Sequence, residues 1–163
     1  MNPKDQLIAW LNDAYSMENS IAQVLENHVK DAKDNPQMSA RLQAHLEETR
    51  TQAERVKQCI ESIGGSVSGT KSFFAQMMGK MQGIATGAAS DEQLKNVLGD
   101  YSAEHFEIAC YKSLIHAGEM LGAPQVVSVA RQNLAEEERM ADWLAAQIEP
   151  LTAKFMGREA VLA

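Results

Sequence analysis

The chain has 163 residues, 45% of them hydrophobic and 23% charged, a composition typical of one globular domain rather than of a disordered chain. Lysine and arginine total 15 against 22 aspartate and glutamate, and the net charge of -7 disfavours binding to duplex nucleic acid or anionic lipid. Two cysteines are too few for a disulfide scaffold and no apolar run reaches membrane-spanning length, so we expect a cytoplasmic protein without a nucleic-acid or membrane partner.

The first two predicted helices form a hairpin. Helix A is predicted over residues 3–33 and helix B over residues 36–63, and each opens on an asparagine–proline pair that supplies an N-cap and a proline in the first turn. The connection of a few residues makes the two helices antiparallel neighbours. Apolar residues recur at steps of three and four, as on a helix packed in a bundle. They are Leu7, Leu11, Ala14, Ile21 and Leu25 on helix A, and Met38, Leu42, Leu46, Ala53, Val56, Ile60 and Ile63 on helix B.

Residues 64–89 have a different composition, rich in glycine, serine and methionine. We interpret them as a crossover that contains one short amphipathic helix over about residues 71–85. The methionines are explained more simply by packing than by a metal or partner site. The apolar residues of this segment exceed what a short surface helix needs, so we expect a homodimer that uses this segment or an outer helix face. They are Phe73, Phe74, Met77 and Met78.

The second half of the chain repeats the hairpin. Helix C is predicted over residues 90–118, where Ser90 and Gln93 form a capping box, and helix D over residues 124–149. Pro150 is expected to interrupt helix D and to leave residues 151–163 as a short last helix or a tail. The periodic positions are Leu94, Val97, Tyr101, Glu104, Ile108, Tyr111 and Ile115 on helix C, and Val127, Ala130, Leu134, Glu137, Ala141, Leu144 and Ile148 on helix D.

Two helical hairpins joined by one long crossover are the arrangement of the ferritin-like four-helix bundle. No strand pattern competes with this interpretation. The sequence therefore predicts an all-α fold and a single ferritin-like domain over residues 1–163.

Several acidic residues fall where the helical periodicity calls for apolar ones. Glu18, Glu104 and Glu137 occupy such positions on three helices, Glu48 lies at the edge of the helix B face, and Glu107 follows Glu104 by one turn. Burying an ionised carboxylate costs several kcal/mol unless it is paired, and the packing faces contain no lysine or arginine. Two divalent metal ions would neutralise such a cluster. The simpler alternative is solvent exposure, which we expect for Glu47, Glu54, Glu136 and Glu138.

Three strings carry a resemblance to a known family: HLEET at residues 45–49, AEHFEIA at 103–109 and EEERMA at 136–141. Together they resemble the YciE/YciF-like family of ferritin-like bacterial proteins, which is similar in fold to rubrerythrins and bacterioferritins. The resemblance covers residues 5–150 and implies a stress-associated, dimeric protein that binds a pair of metal ions. It makes Glu18 and Glu104 terminal ligands, Glu48 and Glu137 bridging or chelating ligands, and Glu107 the second acid of a Glu-x-x-Glu motif.

The sequence departs from the ferritin pattern in its histidines. Glu-x-x-His is absent from helices B and D, because threonine and methionine stand three residues after Glu48 and Glu137. The expected site is therefore rich in oxygen ligands and tolerant of Mn²⁺ as well as iron. His45 and His105 are explained more simply as capped or partly exposed helix histidines, although either could reach the site or orient a carboxylate.

Two functional hypotheses from different classes follow. The first is a dimetal-carboxylate protein with two iron or manganese ions and oxygen- or peroxide-linked redox activity in a stress response; as an enzyme it would be a di-iron oxidase or peroxidase. The second is a non-catalytic, stress-associated interaction protein whose acidic cluster is vestigial or free of metal.

Overall fold

Four long helices make up the part of the chain that the computed structural model describes, residues 2–68 and 91–157. Within these two ranges there is no strand, which agrees with the predicted all-α fold. The predicted crossover helix at 71–85, its four apolar dimer residues and the Ser90 cap lie outside the described residues. The helices, which correspond to predicted helices A to D, are α1 (Pro3–Asp31), α2 (Pro36–Ser62), α3 (Glu92–Met120) and α4 (Pro124–Phe155).

The helices form two antiparallel hairpins, because α1 packs mainly against α2, and α3 mainly against α4. Smaller α1–α3 and α2–α4 contacts join the hairpins into a bundle. Near the start of α1, Asn12 accepts a hydrogen bond from the backbone N–H of Ser68 (2.7 Å), whereas Asp31 at its end accepts one from Asn96 (3.2 Å). The chain thus leaves the first hairpin and enters the second at opposite ends of the bundle. The ferritin-like four-helix arrangement is confirmed.

The asparagine–proline signals begin α1 and α2 as expected. The side-chain oxygen of Asn2 accepts a hydrogen bond from the backbone N–H of Asp5 (2.9 Å), and Asn35 caps α2 in the same way through Met38 (3.2 Å). Helix α3 begins at Glu92, after an Asp91 that makes no side-chain cap bond, so it starts later than the predicted residue 90.

The core lies between the inward faces of the four helices. The predicted apolar faces of α1 and α2 are buried, except that Ile63 is half-buried. On α3 and α4 the predicted faces are correct in part, because polar residues share the inward face and interrupt its apolar periodicity. The predicted positions that are only half-buried are Leu94, Tyr101 and Ile115 on α3, and Val127, Leu134 and Ile148 on α4. None of the described helices has a stretch long and apolar enough to cross a membrane. The buried residues that the sequence analysis did not place inward are Asp100, Leu114, Gly118, Val126, Asn133, Met140 and Leu151.

Helix α4 continues through Pro150 to Phe155, so the prediction that Pro150 ends it is wrong. Pro150 lies on the exposed side, where the lost backbone hydrogen bond is least costly. The next residue, Leu151, is buried in the core, and Thr152 donates a side-chain hydrogen bond to the carbonyl of Ile148 (2.8 Å). Packing of this last turn therefore keeps the chain helical beyond the proline.

We expect Pro150→Ala to raise the free energy of unfolding by up to about 3 kcal/mol, because alanine restores the backbone N–H and removes the ring from a helix interior. The neighbouring Leu151→Ala should lower it by about 2 kcal/mol or more through loss of core contacts. Urea unfolding followed by far-ultraviolet circular dichroism measures both. A Pro150→Ala variant no more stable than the wild type would contradict this account of the helix end.

Candidate metal centre

Five ionisable side chains from all four helices converge in the middle of the bundle. They are Glu18 from α1, His45 from α2, Glu104 and Glu107 from α3, and Glu137 from α4, and none is more than 1% exposed. The buried residues of the described chain include no lysine or arginine. The negative charge of these carboxylates therefore has no fully buried basic partner other than His45.

The five side chains form two adjacent groups that share one carboxylate. The ligand atoms of His45, Glu104 and Glu137 lie within 4.8 Å of one another, and so do those of Glu18, Glu107 and Glu137. In the first group, Nε2 of His45 lies 3.0 Å from Oε1 of Glu104 and 3.7 Å from Oε2 of Glu137. Two neighbouring ligand sets that share Glu137 are an arrangement suited to a pair of cations.

Several carboxylate oxygens of this centre lack hydrogen-bond partners. Within the part of the chain that the structure describes, one oxygen each of Glu18, Glu104 and Glu107, and both oxygens of Glu137, are buried without one. Such groups are costly in a protein interior unless something else satisfies them. Oxygen donors with one imidazole suit first-row divalent cations, and two such cations would balance the charge of the four carboxylates. The residues present therefore fit a dimetal group.

Several side chains of this centre have pKa values shifted from their ordinary ones. Burial raises the pKa of Glu18 to about 8, against a smaller opposing effect of its hydrogen bond from Tyr111. Burial, and then neighbouring carboxylates, raise the pKa of Glu107 and of Glu137 well above the ordinary value. Burial opposes the charged form of His45, but hydrogen bonds with glutamates outweigh it and raise the pKa to about 9. Without metal, the centre therefore retains protons at neutral pH.

A chain of hydrogen bonds reaches Glu18 from the edge of the bundle. Tyr111, fully buried, donates its hydroxyl proton to Oε1 of Glu18 and accepts a hydrogen bond from Nδ2 of Asn133 (2.9 Å). Arg55 donates to Oδ1 of Asn133 (3.0 Å) and to Oε2 of Glu136 (2.6 Å). The carboxylate of Glu18 is thus held in place by residues of α2, α3 and α4.

Glu48 takes a different place from the other four predicted ligands. Its side chain is 34% exposed, and its Oε2 lies 3.1 Å from Nδ1 of His45 and 3.4 Å from Nη1 of Arg41. The hydrogen bond with His45 is the main reason that its pKa falls to about 2. The structure brings Glu18, Glu104, Glu107 and Glu137 together as the sequence predicted, and leaves Glu48 outside both groups of ligand atoms.

Expectations for two side chains are wrong. His45 is fully buried at the centre rather than capped or partly exposed, so the site contains an imidazole although Glu-x-x-His is absent. It stands three residues before Glu48, which reverses the order of the ferritin motif. Glu136, expected in solvent, is largely buried against Arg55 and Gln52, because the α2–α4 contact covers it. His105 is exposed and packs edge-on against Tyr101, with ring centroids 4.5 Å apart.

Few features of the sequence indicate the residues that surround the centre. The sequence predicts Tyr111 as a packing residue of helix C, and no local feature indicates the role of its hydroxyl. Hydrophobicity favours Leu134, the next residue after Asn133, as the inward one. Gln52, also fully buried, donates to Oε2 of Glu136 (3.0 Å). The one signal for Asn133 in the sequence is its helical spacing from Ala130 and Glu137, which puts all three residues on the same face of the helix.

Comparison with known proteins agrees with this architecture. A family model described as a domain of unknown function, DUF892, matches residues 2–157. The chain belongs to this family. Protein YciF of Escherichia coli strain K12 is 30% identical over 142 residues, which cover 83% of each protein. The resemblance to the YciE/YciF-like, ferritin-like proteins is therefore confirmed.

Solved structures show the same fold. A Xanthomonas campestris protein superposes with a TM-score of 0.82 at 30% identity, covering 97% of this chain and 99% of that one. The crystal structure of the Escherichia coli stress protein YciF superposes with a TM-score of 0.81 at 26% identity, covering 94% of this chain and 99% of YciF. The four-helix arrangement is thus shared along nearly the whole length of these relatives.

We expect the metal-free protein to lose stability as the pH rises from about 6 to about 8.5. The folded state holds protons on Glu18, Glu107 and Glu137 that the unfolded chain, with ordinary carboxyl pKa values near 4.5, has already released. The stabilisation from charged His45 is complete below pH 6.5 and disappears as the pH passes about 9, which acts in the same direction.

The measurement is the melting temperature of chelator-treated protein across this range. The triple variant Glu18→Gln, Glu107→Gln, Glu137→Gln should show a flatter profile, because amides do not titrate. A wild-type melting temperature that rises toward pH 8.5 would contradict the assigned protonation.

Proposed function

We propose that this protein is a ferritin-like dimetal-carboxylate protein that binds two divalent ions, iron or manganese, in the middle of its bundle. The ligands would be Glu18, Glu104, Glu107, Glu137 and His45. The observation that carries the proposal is the pair of buried ligand groups that share Glu137, with carboxylate oxygens that nothing in the described chain satisfies.

Each side chain has a distinct role in this proposal. Glu137 would contact both ions, because it belongs to both groups. His45 would use Nε2 as a ligand while its Nδ1 stays against Glu48, an arrangement that fixes the ring orientation and strengthens the ligand. The position of Glu48 favours this orienting role, and its assignment as a ligand stays a prediction.

When bound, a redox-active pair of ions supplies the electrons for reducing oxygen or peroxide. The chain contributes a rigid helical frame that sets the ligand positions and a core that excludes bulk water. The hydrogen bond from Tyr111 orients the carboxylate of Glu18. That a relative is described as a stress protein supports a role for this chemistry in a stress response. We also propose that the protein is a homodimer located in the cytoplasm.

The metal-free alternative has less support. A purely structural cluster would gain stability from apolar replacements, since buried charge without compensation is destabilising. The four carboxylates and the imidazole form instead an ordered set of ligands, and a chain of hydrogen bonds ends with Tyr111 donating to Glu18.

We expect protein purified without chelators to contain about two metal ions per chain, the capacity of two ligand groups that share one carboxylate. Glu137→Gln should remove most of this metal, because both groups lose a ligand, whereas Glu138→Gln, an exposed neighbour on the same helix, should retain it. Elemental analysis by mass spectrometry measures the content.

Adding Fe²⁺ without oxygen and then admitting air should produce a ferric absorbance change in the wild type. Metal binding without that absorbance change would contradict the proposed oxidase activity and would indicate a storage or structural site. Absence of stoichiometric metal under every loading condition, together with a higher melting temperature for Glu137→Gln, would favour the interaction protein.

Metal binding should release protons at neutral pH. Glu18, Glu107 and Glu137 have raised pKa values, and the imidazolium of His45 must also lose a proton before Nε2 can act as a ligand. Calorimetric titration with Mn²⁺ in two buffers of different ionisation enthalpy should therefore give heats that differ in proportion to those enthalpies. Affinity should fall as the pH is lowered from 8 toward 6. Equal heats in both buffers would contradict the protonated resting state.

A further inference from the structure

The two ligand groups of the centre differ in their donor atoms. One group offers the Nε2 of His45 with carboxylates of Glu104 and Glu137, and the other offers only carboxylates, from Glu18, Glu107 and Glu137. Imidazole favours transition ions such as Fe²⁺ and Zn²⁺, whereas an all-carboxylate set suits harder ions such as Mn²⁺ and Mg²⁺. The shared Glu137 does not distinguish the groups, so the contrast rests on the remaining ligands.

The groups also differ in the side chains that orient their ligands. Each group is connected to an arginine at the edge of the bundle through a chain of polar contacts. Arg41 contacts Glu48, which contacts Nδ1 of His45, so this chain ends on a nitrogen ligand. Arg55 contacts Asn133, which contacts Tyr111, and that chain ends on the carboxylate of Glu18.

The direction of the second chain is fixed by chemistry. Arginine can only donate, so the side-chain oxygen of Asn133 faces Arg55 and its NH₂ group donates to the hydroxyl of Tyr111. The hydroxyl proton of Tyr111 is then directed to Oε1 of Glu18, while Oε2 is buried without a partner among the described residues. Arg55 and Asn133 thus orient the hydroxyl of Tyr111, which occupies one oxygen of Glu18 and leaves the other available to a cation.

We propose that the two metal positions are inequivalent, so that the His45 group takes an imidazole-preferring transition ion and the Glu18 group takes a hard ion such as Mn²⁺. Tyr111, Asn133 and Arg55 are positioning residues for the Glu18 position. This inference rests on the proposed function, since it requires that a pair of ions binds.

The test is mixed loading of the metal-free wild-type protein with one equivalent each of Zn²⁺ and Mn²⁺. Zn²⁺ is diamagnetic, so Mn²⁺ confined to the Glu18 group should give the electron paramagnetic resonance spectrum of an isolated ion. Pulsed measurements should show no imidazole nitrogen coupled to it. Protein loaded with two equivalents of Mn²⁺ alone provides the spectrum of a coupled pair.

The outcomes separate this inference from the proposed function. Coupled Mn²⁺ pairs in the mixed sample, or imidazole nitrogen coupled to Mn²⁺, would overturn inequivalent positions while leaving a dimetal site in place. Failure of either ion to bind when supplied alone would overturn the dimetal site itself.

Variants test the positioning residues. Tyr111→Phe should weaken Mn²⁺ binding at the Glu18 position by about 10–100-fold and leave Zn²⁺ binding at the His45 position unchanged. Asn133→Asp should act in the same direction, because a carboxylate there only accepts and competes with Glu18 for the proton of Tyr111. Tyr101→Phe, on the same helix outside the centre, is the control and should change neither affinity. An equal loss at both positions would show a general structural effect and overturn the assigned role.

Discussion

The burial of four carboxylates in one small volume is the constraint on which the rest of this structure depends. Glu18, Glu104, Glu107 and Glu137 come from three helices and share a space from which water is excluded. Such a cluster is tolerated only if protons or cations neutralise it. The raised pKa values of Glu18, Glu107 and Glu137 show the first solution, and the unpaired oxygens suit the second. Exchange between protons and cations is therefore the chemistry that the proposed dimetal function requires of the bundle.

The side chains around the cluster hold its members in defined orientations. Arginines at the edge of the bundle, Arg41 and Arg55, are each 22–23% exposed, so they retain contact with water while fixing the groups beneath them. Their placement supplies positive charge near the acids without the cost of burying a guanidinium fully. The acids thus lie at the centre of the bundle, and the arginines that help to orient them lie at its edge.

The sequence predicted the fold and four of the central acids for a simple reason. Glu18, Glu104 and Glu137 interrupt runs of apolar residues at helical spacing, and Glu107 follows by one turn, so their inward direction is a local property of each helix. His45 departs from the prediction because a histidine beside several acids is equally suited to a helix surface. Pro150 departs from it because the packing of Leu151 in the following turn outweighs the local effect of proline on the backbone.

By itself, the amino-acid sequence determined the four helices, their connectivity and the inward acids, because capping, periodicity and loop length act over a few residues. Only the tertiary structure decided which side chains meet. His45 contacts Glu104 across 59 positions of the chain, and Tyr111 contacts Glu18 across 93. Such contacts depend on the rotation and register of one helix against another, which the packing of all four faces sets together. The composition of the two ligand groups is therefore a property of the assembled bundle.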